Sequence, residues 1–341
     1  MTEVTAVRGV AGLVTAIVVA SVCAGCSSGS SGDDLQVGPT LAAATPAVSP
    51  AAAASAPGGT VLAAPGVSAM AVDATSRTLA VAISSPPQVW LYALDDLKAA
   101  PRRVSLPGVV TQLSLARPGG PVLAPVPAAN QVVEIALPTG TTTVVPVSGG
   151  PTSAADIGGQ LLVAVPGRKA VDVLSGGHLV RTVTGDTEPD QVLAVGAKAA
   201  VLDRPESALY DLDPATAKVG AGLRAGDGAT NAVVDEYGRV LVVDTRGGEL
   251  LAFTANTVVL RQRYPVPGAP YGIAYDPKRD LAWVTLTASN EVVGFAMTGG
   301  SPVQRYRLTT VRQPNSVAVD PDSGRVFVAS ADGEGVNVIQ P

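Results

Sequence analysis

The stretch Ile273-Ala274-Tyr275-Asp276-Pro277, followed by Leu281-Ala282-Trp283-Val284, has a pattern that recurs along the chain. An apolar run ends in Asp, a turn-forming segment follows, and a second apolar run begins a few residues later. The first runs of three further copies end at Asp73, Asp235 and Asp320. Asp235 and Asp276 are 41 residues apart, and Asp276 and Asp320 are 44 residues apart. A fixed period of this kind indicates a repeat architecture.

Each copy continues with a third apolar run, and six copies show a fourth. These short runs are rich in Val, Ile and Leu and alternate with turns of Gly, Pro, Asp and Asn, which is typical of β-strands. Three weaker copies, which begin near Thr111, Thr152 and Asp190, fill the interval between Asp73 and Asp235. A period of about 40–50 residues with four strands in each copy is the pattern of a β-propeller. We therefore predict an all-β chain of seven four-stranded blades, with six or eight blades as alternatives if a weak copy is miscounted.

The two ends of the repeat region complement each other. The seventh copy stops at Pro341 after its third strand. Residues 60–63, with the sequence Thr-Val-Leu-Ala, form a strand that belongs to no copy. We expect this N-terminal strand to complete the seventh blade and close the ring.

The last copies resemble the YVTN repeat. The resemblance lies in Asp276-Pro277, Leu281-Ala282-Trp283-Val284 and Asn290-Glu291-Val292-Val293, and again in Asp320-Pro321, Val326-Phe327-Val328-Ala329 and Val336-Asn337-Val338-Ile339. Related propellers include NHL-repeat proteins and a seven-bladed lactonase-like family. The resemblance implies a propeller, and the lactonase-like relatives imply hydrolysis of a sugar lactone with a divalent metal ion. No catalytic residue of those enzymes can be placed on this chain, and propellers host many unrelated functions.

The N-terminus has the pattern of an export signal. Arg8 precedes an uncharged stretch, residues 9–24, of about 16 residues, which is short for a membrane span and suited to a signal peptide. It ends in Val22-Cys23-Ala24-Gly25-Cys26, which resembles the bacterial lipobox, although Cys23 replaces the usual Leu. The resemblance implies cleavage after residue 25 and lipid on Cys26. An ordinary cleaved signal or a simple N-terminal anchor are the alternatives.

Three regions follow from this organisation. We expect residues 1–25 to be the lipoprotein signal peptide, residues 26–58 a disordered Ser/Gly/Ala/Pro tether, and residues 59–341 the propeller domain. The composition of the tether offers too little apolar surface to offset the entropy of ordering it. The expected location is the extracytoplasmic face of the cell membrane, to which acyl chains hold the protein.

The composition excludes several kinds of function. The net charge of −5 disfavours nucleic acid as a partner, because phosphates require a basic surface. The single histidine, His178, is expected in an exposed turn, which leaves no basis for a zinc site or a histidine-based triad. Asp73, Asp235, Asp276 and Asp320 are expected to bond to turn backbone. We therefore predict no cofactor, no metal and no catalytic residue, and both Trp90 and Trp283 as strand core.

One position in each copy suggests a binding site. In a propeller the first strand of each blade lines the central channel, and the residues that enter these strands lie at one mouth. Alignment of the seven copies places polar or hydroxyl-bearing residues at this entry position: Ser68, Thr111, Thr152, Asp190, Thr230, Tyr271 and Asn315. A polar ring in an apolar channel is typical of a ligand pocket, with Asp190 as its charge and Tyr271 as its aromatic. The alternative is that these side chains bond to nearby backbone.

The sparse set of catalytic residue types favours binding over catalysis. The leading interpretation is a membrane-anchored lipoprotein whose propeller is a scaffold for an envelope protein, a glycan or a small ligand, and which is itself a monomer. A lactonase-like hydrolase with a divalent metal ion and an envelope assembly factor are the alternatives.

Overall fold

The computed structural model describes residues 1–2, 42–51, 56–185 and 187–341. Cys26 and nearly all of the predicted signal peptide lie outside these residues. Within the described part of the chain, no helix is long and apolar enough to cross a membrane. The regular structure there consists of 29 strands and two short 3-10 helices, Pro127–Ala129 and Pro166–Arg168.

The strands form seven antiparallel sheets that follow one another along the chain. Blade 1 contains β2 (Val67–Asp73), β3 (Thr78–Ile83), β4 (Gln88–Ala93) and β5 (Arg102–Ser105). Blade 2 contains β6 (Ser114–Leu115), β7 (Val122–Val126), β8 (Gln131–Ile135) and β9 (Thr142–Pro146), and blade 3 contains β10 (Ser153–Ile157), β11 (Gln160–Val165), β12 (Ala170–Ser175) and β13 (His178–Thr184). Blade 4 contains β14 (Pro189–Val195), β15 (Lys198–Asp203), β16 (Ala208–Asp213) and an outer strand divided into β17 (Lys218–Val219) and β18 (Leu223–Arg224).

The later blades are more regular. Blade 5 contains β19 (Ala229–Val234), β20 (Arg239–Asp244), β21 (Glu249–Thr254) and β22 (Val259–Pro265), and blade 6 contains β23 (Pro270–Asp276), β24 (Leu281–Leu286), β25 (Glu291–Ala296) and β26 (Val303–Thr309). Blade 7 contains β27 (Pro314–Val319), β28 (Val326–Ser330), β29 (Val336–Ile339) and, as its outer strand, β1 (Thr60–Leu62). The innermost strands of neighbouring blades contact each other in cyclic order, and β2 contacts β27. The prediction of a seven-bladed β-propeller is confirmed.

The N-terminal strand closes the ring as predicted. β1 runs antiparallel to β29, with Val61 opposite Asn337. Asn337 is fully buried and its Nδ2 donates to the carbonyl oxygens of Gly58 and Thr60. On the opposite side of the same junction, Arg77 Nη1 of blade 1 lies 3.2 Å from Asp320 Oδ2 of blade 7. The N-terminal strand therefore pairs within blade 7, and an ion pair joins blade 7 to blade 1.

The core lies between blades because each second strand is covered on both faces. All six residues of β24 are buried, as are all six of β3. Trp283 on β24 is 1% exposed and stacks on Tyr306, so its predicted core position is confirmed. Trp90 is only half-buried, with the Arg103 guanidinium 4.5 Å above its ring.

Two local predictions have different outcomes. Asp73, Asp235, Asp276 and Asp320 accept backbone N–H groups of the turns that follow them, which confirms their structural role. The prediction of a turn for His178 was wrong, because His178 begins β13 opposite Ser175, and Gly176 and Gly177 make the turn. Both glycines have positive φ, which lets two residues reverse the chain.

Residues 42–51 lie inside the segment predicted as a disordered tether, and the structure places them against the propeller. Ala44 and Ser49 are each only 5% exposed. Hydrogen bonds join this segment to blades 4, 5, 6 and 7. The order of this segment has a physical reason, because buried polar groups of the blades pair with its backbone.

Candidate functional site

The innermost strands of all seven blades enclose a central cavity of about 690 Å³. Most of the residues that line it are apolar, such as Met70, Leu113, Val192 and Ile273, although polar atoms supply the larger part of the surface that faces the cavity. Polar side chains gather at the face where the innermost strands begin, which we call the entry face. A cavity of this size, in which polar groups converge among apolar residues, is suited to a small molecule.

The predicted ring lies at this face, but its members differ in their surroundings. Ser68, Thr111, Tyr271 and Asn315 line the cavity. Thr152, Asp190 and Thr230 do not line the cavity. In blades 3, 4 and 5 the next residue along the chain lines it instead, namely Ser153, Gln191 and Asn231. Gln112 is also part of the lining.

In blades 4 and 5, two of the three blades with this offset of one residue, the offset coincides with a bulge in the first strand. In blades 1, 4, 5, 6 and 7 the pairing of the first strand with the second shifts register at its first residues. In blade 4 the shift falls between Pro189 and Gln191, and in blade 5 between Ala229 and Asn231. Asp190 and Thr230 are the extra residues of these bulges. A bulge re-aims side chains relative to a regular strand, so strict alternation along the sequence does not identify the wall.

Most polar side chains of the entry face bond to the backbone of a neighbouring blade. Ser68 Oγ donates to the carbonyl of Val110, a residue in the segment that connects blade 1 to blade 2. Thr152 Oγ1 donates to the Asp190 carbonyl of blade 4. Thr230 is fully buried and bonds to Thr245, whose Oγ1 in turn contacts the Pro270 carbonyl oxygen of blade 6. These bonds hold adjacent blades together around the channel.

Two side-chain amides extend this belt of bonds. Gln191 of blade 4 donates from Nε2 to the Ala232 carbonyl and accepts the Ala232 N–H at Oε1. Asn231 Nδ2 of blade 5 donates to the Tyr271 carbonyl of blade 6. These amides therefore support the wall of the channel while they also face it.

Tyr271 differs from the other polar residues of the ring. Its side chain lines the cavity. No hydrogen bond joins its hydroxyl to any residue that the structure describes. A phenol in such a position can both donate to and accept from a ligand.

The charge at the entry face comes from Arg204 as well as from Asp190. Arg204 lines the cavity and follows β15 in the loop to β16. Asp190 Oδ2 accepts the Arg204 backbone N–H at 3.2 Å. Burial raises the pKa of Asp190, although the charge and the N–H of Arg204 act in the opposite direction. Arg204 therefore brings a positively charged group to the cavity lining.

Below this loop, Asp203 is a fully buried carboxyl group. Its oxygens accept the backbone N–H groups of Glu188 and Glu206. Burial raises the pKa of Asp203 to about 6, and the two N–H groups only partly oppose this effect. The carboxyl therefore titrates just below neutral pH, next to the residues of the channel mouth.

No three His, Cys, Asp or Glu side chains of the described chain come together in a group that could hold a metal ion. Sequence reasoning missed Arg204, because the alignment considered only the first strand of each blade. Arg204 could have been found from its position directly after the second strand of blade 4, because the loop there opens on the entry face.

No family model matches the chain, and no curated protein matches it. Among solved structures the chain is similar to one of Kuenenia stuttgartiensis hydrazine synthase, with 16% identity, a TM-score of 0.70, and coverage of 83% of this chain and 97% of that chain. It is similar to a streptogramin B lyase structure, with 13% identity, a TM-score of 0.69 and the same two coverages. It is also similar to a chain of the mitotic checkpoint complex, with 11% identity, a TM-score of 0.71, and coverage of 87% and 96%. At these identities the similarity shows only that these chains share the β-propeller fold.

Proposed function

We propose that this protein is a lipid-anchored, extracytoplasmic binding protein with YVTN-type blades, and that its central channel takes a small polar ligand at the entry face. The observation that carries the proposal is the cavity of about 690 Å³ that all seven blades line. The lipobox-like residues before Cys26 support the anchor.

Two groups at the mouth give the ligand its chemistry. Arg204 brings a positive charge to the cavity lining, and the Tyr271 hydroxyl has no hydrogen-bond partner within the described chain. The ligand therefore carries an oxygen acceptor for Arg204 and a polar group within reach of Tyr271, with an apolar part against the Ala, Val and Leu wall.

The known propellers with this fold do not name the ligand. They include a lyase and a component of a protein complex. The binding interpretation rests on the polar groups of this channel instead.

A search for co-purifying small molecules tests the proposal. The protein is isolated from its own membranes, denatured, and the released molecules are identified by mass spectrometry. The wild-type protein should release one species in near-stoichiometric amount, and Tyr271→Ala should release at least about tenfold less. Tyr237→Ala is the matched control, because Tyr237 is 60% exposed and is not part of the cavity lining. Equal release from all three proteins, or release from none, contradicts a channel ligand.

A further inference from the structure

Residues 42–50 form a strap along the rim of the entry face, over blades 4 to 7. The strap lies on the loops that follow the second strands, at Arg204 of blade 4, Arg246 of blade 5 and Thr287 of blade 6. It ends against Gln313, where the chain enters blade 7. These contacts define a rim groove that one extended segment of the chain fills.

The groove recognises the strap mainly through its backbone. Arg246 Nη2 donates to the Ala42 carbonyl and Arg204 Nη2 donates to the Ala44 carbonyl. The Ala47 N–H donates to Thr287 Oγ1. Asn290 Nδ2 donates to the Pro50 carbonyl. Such bonds are open to any extended peptide, whatever its side chains.

Gln313 is the centre of this recognition. Its Nε2 donates to the Ala47 carbonyl at 2.9 Å, and its Oε1 accepts the Ser49 N–H at 3.0 Å. The side-chain amide therefore pairs with the strap as a strand backbone would. Gln313 is only 8% exposed, so an empty groove would leave these polar atoms without their partners in a buried place.

Two strap positions are read through their side chains. Ser49 Oγ donates to the Thr287 carbonyl at 2.6 Å and accepts the Gln313 N–H at 3.1 Å. Ala44 packs over Gly228, where a Cβ would lie 2.8 Å from the Ala44 Cβ. Of the positions between them, Thr45 and Val48 face away from the groove, since Thr45 is exposed and Val48 is 87% exposed, whereas Pro46 and Ala47 are half-buried. The groove thus selects a small residue and, five positions later, a serine.

We propose that the rim groove is a peptide-binding site for an extended Ala/Ser/Pro-rich segment of an envelope partner, and that the protein's own strap occupies it until the partner displaces it. The strap is part of the same chain, so its effective concentration at the groove is on the order of millimolar. To bind, a partner peptide must therefore compete successfully with a strap present at this effective concentration. Arg204 contributes to both sites, but the tests address different residues, Gln313 in the groove and Tyr271 in the channel, so the failure of one proposal is distinguishable from the failure of the other.

Two double variants of the full chain separate release of the strap from a mere change in charge. Ala44→Glu with Ser49→Glu places long charged side chains at the two buried positions and should release the strap. Thr45→Glu with Val48→Glu adds the same charges at the two exposed positions and should leave it bound. In hydrogen exchange the Ala47 and Ser49 amides should be protected in the control variant and should exchange at least about tenfold faster in the release variant.

The probe is a labelled peptide with the sequence of residues 42–51, measured by fluorescence anisotropy up to millimolar concentration. It should bind the release variant at least about tenfold more tightly than the control variant, and Gln313→Ala in the release variant should abolish this gain. The same peptide with Ser49→Glu should not bind. The proposal is overturned if exchange is equally fast in both variants, or if the strap is released and the peptide then binds no better than its Glu form.

Discussion

Gln191 of blade 4 and Ala232 of blade 5 exchange two hydrogen bonds across the gap between their blades, at 2.9 Å and 3.0 Å. The side-chain amide takes the place of a strand in a region where the inner strands diverge around the channel. Loss of this amide leaves the N–H and carbonyl of a buried residue without their protein partners.

Gln191→Ala should therefore lower the free energy of unfolding by about 1–3 kcal/mol, since two bonds are lost and each contributes roughly 0.5–1.5 kcal/mol net. Urea denaturation measures the change. Gln304→Ala on the outer strand β26 is the matched control, because Gln304 is exposed, and it should alter the stability by less than about 0.5 kcal/mol. Equal effects of the two substitutions would show that the belt does not stabilise the ring.

Deletion of residues 60–62 should destabilise the protein by several kcal/mol, because it removes the strand that pairs with β29. Conversion of the same three residues to alanine keeps the backbone pairing and is the matched control. Its cost should be clearly smaller, since Thr60 and Val61 are exposed. Thermal unfolding compares the two variants with the wild-type protein. Equal melting temperatures for the deletion and the alanine variant would contradict closure by strand pairing.

Asp203 should make the folded state less stable as the pH rises from about 4 to about 6. Its pKa is about 6 in the folded protein, whereas the ordinary value, taken for the unfolded chain, is 3.8. The folded state therefore holds the proton more tightly. The contribution is therefore present below pH 4 and is lost as the pH passes through 6. Melting temperatures of the wild-type protein and of Asp203→Asn, measured between pH 4 and 7, should show this slope only in the wild type.

Asp320→Asn is a control for that titration, because the Asp320 carboxyl affects the pH dependence of stability in the opposite direction. Burial acts to raise the pKa of Asp320, but hydrogen bonds from Ser323, the Asp322 backbone and Arg77 lower it below the ordinary value. Its stabilising effect is therefore lost as the pH falls below about 4. A wild-type slope between pH 4 and 6 that persists in Asp203→Asn would assign the titration to another group.

Cys26→Ala should abolish acylation and leave the unprocessed precursor. The reason is chemical, since the proposed lipid is attached through the Cys26 sulfur and alanine offers no thiol. Mass spectrometry of the N-terminal peptide from the membrane fraction measures the outcome, and Cys23→Ala is the matched control that should remain processed and lipidated. An unmodified N-terminus in the wild-type protein would refute the anchor without affecting the fold.

The number of blades could be predicted from the sequence because the apolar runs recur in every blade and four blades share the same Asp at the first turn. Asp276 and Asp320 bond to the backbone of turns in the same way, so the physical need recurs with the period. The position of the channel wall could be predicted only to within one residue. Bulges before Gln191 and Asn231 depend on how two strands pair, and nothing in either strand alone encodes that offset.

The strap could not be predicted from its composition. Residues 42–50 are Ala, Thr, Pro, Val and Ser, which is typical of disordered segments because such residues bury little surface. The groove instead pairs with backbone atoms, through Arg204, Thr287 and Gln313. A segment recognised by its backbone carries almost no sign of that recognition in its own sequence.

The docked strap also determines how far the propeller can stand from a lipid on Cys26. Only 16 residues separate Cys26 from Ala42, whereas 34 separate Cys26 from Thr60. At about 3.3–3.6 Å per residue, the maximum leash is about 55 Å with the strap docked and about 120 Å with it released. With the proposed lipid on Cys26, the docked strap would make the leash leave from the rim of the entry face and would keep this rim nearest to the bilayer. Displacement of the strap by a peptide would then roughly double the height available to the domain and free its mouth to face outward.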